Sequence, residues 1–140
     1  MSRVEKLLTA FLAILAVHGL EADALDPWRG WLAFKEYARA TSEQPDQGVS
    51  VQVGLDGDQV THLYFLRQAA VLTADRLEPV GGVVCDFCYP SRSAATLTSE
   101  YWSFDYATFE RFVDVVEQDP VIAELFLQRP VSSQLYWQEA

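Results

Sequence analysis

Asparagine is absent from these 140 residues, and there are only two lysines, two cysteines and one methionine. Without asparagine there is no acceptor for N-glycosylation, and two cysteines are too few to staple a small secreted scaffold. Scarce lysine beside plentiful Arg, Ala and Val reads as the coding bias of a GC-rich, bacterial genome, and a cytoplasmic protein is the default expectation. Basic charge is short too: 10 Lys and Arg stand against 20 Asp and Glu, a net charge of −10. Nucleic-acid binders draw much of their affinity from clustered basic side chains that neutralise phosphates, so neither nucleic acid nor anionic membrane is expected as a partner. No apolar run reaches the roughly 20 residues needed to cross a bilayer. Also missing are a Gly-x-Ser-x-Gly elbow, a phosphate-cradling Gly-rich loop with its lysine, and a His-Glu-x-x-His pair. No cofactor is expected.

What is present is apolar. Half the residues are hydrophobic and 13% are aromatic, which opposes disorder and suits one domain with one core, folding alone or as a homo-oligomer. At the N-terminus, residues 2–6 followed by the apolar stretch 7–17 resemble a signal peptide, with Ala22-Asp23-Ala24 as its cleavage site. Glu5 in the would-be basic region, and His18, Glu21 and Asp23 near the would-be cut, favour a retained helix. Val4, Leu7, Leu8, Phe11, Leu15 and His18 would line its buried side, widened by Leu12 and Ile14. A secreted protein that loses this segment is the rival.

A second helix starts at Asp26-Pro27, a cap followed by a first-turn proline, and carries Trp28, Trp31, Leu32, Phe34 and Tyr37; a loop over 41–48 ends it. From Val49 the period becomes two. Val49, Val51, Val53 and Leu55 predict a half-buried strand, Asp56-Gly57-Asp58 a hairpin turn, and 60–67 the returning strand. Further strands are expected at 80–89 and 96–104, with a loop at 90–95 between them. Asp105 caps a helix with Phe109, Phe112, Val113 and Val116 inward, Asp119-Pro120 starts a short one, and 131–137 forms an edge strand. The fold expected is α+β: two N-terminal helices, an antiparallel meander of four or five strands, and two C-terminal helices packed on one face.

Three groups of residues carry chemistry. Cys85 and Cys88 have the spacing of a zinc knuckle or redox pair, but residues three apart on a strand point to opposite faces, so no metal or disulfide is expected from them. Were strands two, three and four neighbours, His62 and Tyr64 would share a face with Asp86 and Cys88 and with Glu100 and Trp102. There His62, with Asp86 or Glu100, could act as a general base or hold a ligand between Tyr64 and Trp102. The plainer reading is the polar face of a half-exposed sheet. Finally, Glu110, Asp114 and Glu117 form an outward stripe that Glu124 extends, a docking site for a basic protein partner or simply a solvated face. The functional expectation is a non-enzymatic protein-binding module, an adaptor or inhibitor of a basic partner. A small-molecule pocket protein or enzyme built on His62 is the alternative.

Overall fold

Ser2 accepts a hydrogen bond from the Glu5 amide and starts helix α1, Arg3–Val17. Asp26 does the same for Arg29 at the start of α2, Pro27–Ala40. The computed structural model describes residues 2–21, 26–43, 48–90 and 97–140; the expected cleavage site at 22–24 and the loop tips at 44–47 and 91–96 lie outside them. Only one stripe of α1 is buried, through Leu7, Phe11, Ile14 and Leu15, while Leu12 is exposed. Phe11, Ile14 and Leu15 belong to the main core, so removing the helix as a signal would strip three of its side chains. His18, at its end, meets the Glu36 carboxylate of α2. Trp31, Phe34 and Tyr37 are buried as expected, whereas Trp28 is not.

Five strands follow: β1 Gly48–Asp56, β2 Gln59–Thr73, β3 Arg76–Cys88, β4 Leu97–Asp105 and β5 Ser132–Gln138. Helices α3, Tyr106–Gln118, and α4, Pro120–Ala123, precede β5, and α4 continues into a π-helical turn, Glu124–Gln128. No helix among the described residues is long and apolar enough to cross a membrane. The antiparallel sheet has the order β4-β1-β2-β3-β5. Strands β1, β2 and β3 form the expected meander, but β4 lies beside β1, pairing Gly48 with Asp105, and not beside β3. The outer edge of β3 is already taken by β5, which pairs Cys88 with Ser132 and Gly82 with Gln138.

Register places Val49 and Val51, Leu63 and Phe65, Val83, Cys85 and Phe87, and Leu135 on one face, where they join α1, α2, α3 and the π-helical turn in a single core. Trp31 is its centre, with its ring centroid 5.2 Å from those of both Phe65 and Phe126. Gly57, at φ +62°, supplies the positive angle of the β1–β2 turn. The Gly81-Gly82 pair follows a bulge, with Gly81 opposite Ala69 and Gly82 opposite Gln68, and a Cβ on Gly82 would lie 2.3 Å from the Arg67 carbonyl oxygen.

The second hairpin turns at Ala74-Asp75, with Ala74 at φ +51°. An L-residue pays roughly 1 kcal/mol in this left-handed region that glycine does not. Ala74→Gly is therefore expected to stabilise the fold by up to about 1 kcal/mol, read as a raised urea midpoint at unchanged slope. A lowered midpoint would show that chain entropy outweighs the relieved strain.

One buried group went unforeseen. Arg67 is fully buried on β2. Its Nε donates to Thr41 Oγ1 at 2.9 Å, Nη1 donates to the Gly48 carbonyl at 3.1 Å, and Nη2 donates to the Thr41 carbonyl. Burial lowers its pKa to about 10, which still leaves it charged at neutral pH. It ties the end of α2 to the start of β1.

Candidate functional site

The core is not filled evenly. Where β1, β2 and β4 meet the C-terminal helices, a cavity of about 390 Å³ opens between Val51, Val53, Val60 and Leu63 on the sheet and Phe112, Val116, Ile122 and Leu125 opposite. Valines project little volume from a strand, and α4 with its π-helical turn is too short to roof this end of the sheet. Phe112 stacks on Phe104 at 6.0 Å and forms one wall. Tyr89 also lines the cavity, but its hydroxyl donates to the Phe126 carbonyl and its pKa is raised by burial, so it presents ring and not charge. The rim stands open: Trp102 is 42% exposed, Ile122 36% and Leu125 53%. Large apolar side chains gathered at a mouth mark an interaction site more often than scattered ones do.

An adjoining cavity of about 680 Å³ shares Val60, Tyr89 and Leu125 with the first and adds Asp56, Asp58 and Arg129. Arg129 is paired with Glu124. An apolar cleft thus adjoins a wider cavity that adds two carboxylates and one guanidinium to its lining.

The constellation expected around His62 is split by the sheet order. His62 and Tyr64 do share the open face with Cys88 and Asp86, their direct cross-strand neighbours, and His62 bonds Asp86. Glu100 and Trp102 do not join them. Because β4 flanks β1, the register sets Glu100 opposite Val53 and Trp102 opposite Val51, on the helix side of the sheet. Trp102 belongs to the apolar cleft instead. Tyr64 donates to Gln138 Oε1, and burial, then Tyr136, Asp86 and Tyr101, raise its pKa.

Cys85 and Cys88 point to opposite faces, as their spacing requires. Cys85 is sealed in the core, where burial pushes its thiol pKa well up, and Cys88 is half-buried on the open face. There a His62 nitrogen, an Asp86 oxygen and the Cys88 sulfur all lie within 4.8 Å of one another, a donor set that could hold a metal.

The acidic stripe is broken as well. Glu110 and Asp114 are exposed, but Glu117 turns inward, accepting from Trp31 Nε1 at 3.1 Å and from Lys35. Both α2 residues lie across the groove from α3, and that placement, invisible to helical spacing, captures the carboxylate. The groove also holds Arg39 and Glu36, so carboxylates and cations of the chain already face each other there. No family model matches the chain, and neither the curated proteins nor the solved structures searched provide a match.

Proposed function

We propose that the protein is a non-enzymatic binding module whose apolar cleft takes up large side chains from a basic, amphipathic segment of a partner protein. The observation that carries this reading is the exposed rim of Trp102, Ile122 and Leu125 around a cavity with an apolar lining. At about 390 Å³ the cavity is near the lower end of small-molecule pockets, which span roughly 300–1,000 Å³. A small guest would fill it and leave the rim wet. A peptide covers both, setting its apolar anchors in the groove. The chain's net charge of −10, with Asp56 and Asp58 beside the mouth, favours a basic partner and speeds its encounter.

Fluorescence anisotropy of two designed helical peptides tests this reading. They share one apolar face and differ only in carrying lysine or glutamate on the other, and each competes with the neutral probe N-phenyl-1-naphthylamine. The lysine peptide is expected to bind at least about tenfold tighter, displace the probe, and lose that margin at high salt. Probe binding that neither peptide displaces would assign the cleft to a small molecule. No probe binding would mean a closed core and end both readings.

A further inference from the structure

We propose that His62, Asp86 and Cys88 form a binding site for a zinc-class divalent transition-metal ion on the open face of the sheet, away from the apolar cleft. The site is built by strand register. His62 on β2 pairs directly with Cys88 on β3, and Asp86, two residues earlier on β3, projects from the same face. All three are half-buried, and one donor atom from each lies within 4.8 Å of the other two. Ligand bonds of about 2.0–2.3 Å around a tetrahedral ion set neighbouring donors roughly 3.3–3.7 Å apart, so an ion enters by replacing the proton that His62 and Asp86 share, these two moving apart while Cys88 needs at most a small shift. Two neighbouring strands hold them there.

The donor types select the ion. An imidazole nitrogen with a thiolate sulfur favours zinc and its neighbours over magnesium or calcium, which take oxygen. Three protein ligands leave one tetrahedral position for water or an incoming ligand, the pattern of sites that exchange ligands and not of closed structural ones. Space has been kept beside the histidine. Gly54 is the partner of His62 on β1, and a Cβ there would sit 3.1 Å from His62 Cβ. The Cys85–Cys88 spacing hides this site, because the sulfur that matters is joined by Asp86 two residues away and by His62 on the neighbouring strand, not by the other cysteine.

Cobalt and zinc titrations of the full chain, reduced and freed of metal by chelation, test the proposal. One equivalent of cobalt should bind with a thiolate-to-cobalt charge-transfer band in the near ultraviolet, and zinc should displace it. Cys88→Ser should abolish the band and Cys85→Ala should keep it. His62→Ala and Asp86→Asn should each weaken zinc binding by at least about tenfold, the scale already seen for loss of supporting groups around a metal. Circular dichroism of the chelated variants separates lost ligation from lost fold. The unmodified chain gives an independent readout: zinc should protect Cys88 from iodoacetamide, followed by mass spectrometry. No metal uptake, a band that survives Cys88→Ser, or alkylation at the same rate with and without zinc overturns the site. Rapid zinc-independent alkylation would point instead to a reactive thiol assisted by His62.

Discussion

Replacing Arg67 by alanine is expected to cost about 3–5 kcal/mol, a large share of the roughly 5–15 kcal/mol that holds a domain together. Two terms add. The first is the empty volume left by the largest fully buried side chain after Trp31. The second is the carbonyls of Thr41 and Gly48, which lose their donors in a place water does not reach freely. Relief of the guanidinium's own desolvation, the cause of its pKa falling to about 10, offsets part of this and keeps the figure below the sum of the lost bonds. Arg67→Lys tests the geometry separately. One ammonium cannot reproduce the planar fork that reaches both segments, so lysine should recover only part of the loss. Urea unfolding at constant slope is the measurement, and a cost under about 1 kcal/mol for alanine would show that the segments hold without the fork.

Trp102→Ala is expected to weaken the lysine peptide by at least about 2 kcal/mol, roughly thirtyfold, because a large aromatic at the mouth of the cleft is covered when the peptide seats, and aromatic rings carry a disproportionate part of such affinities. The free protein should lose little stability, since this ring is 42% exposed. Effects on binding and folding are thereby separable. A peptide that binds Trp102→Ala as tightly as the parent must rest elsewhere, and the cleft would lose its main anchor.

Local chemistry made much of this fold legible. Asp26 and Asp105 cap the helices they were expected to cap, and Asp56-Gly57-Asp58 turns the hairpin it predicts. The hairpin at Ala74-Asp75 was not legible, because its positive φ falls on alanine, a residue with no turn preference. The returning strand expected at 60–67 runs on to Thr73, and nothing in the neighbours of Arg67 reveals that Thr41, many residues away, receives its side chain. The candidate site failed at one step. Alternation set His62 on one face with Asp86 and Cys88, and the β2–β3 register makes them neighbours, but the place of β4 depends on which sheet edge is free. That choice separated Glu100 and Trp102 from His62 and gave Trp102 to a cleft that no motif announces. Glu117 was lost to the stripe similarly, through a partner on another helix.

The position of β4 also governs how the chain reaches this fold. Strands β1, β2 and β3 meet through two short turns, so their pairing can form early from nearby segments. The edge of β1 stays bare until residues 97–105 arrive, and closing it must bring Gly48 to Asp105 across the whole hairpin region. During synthesis the growing chain therefore carries an unpaired strand edge flanked by Val49, Val51 and Val53, and that interval, more than the finished sheet, is when a second copy can pair where β4 belongs.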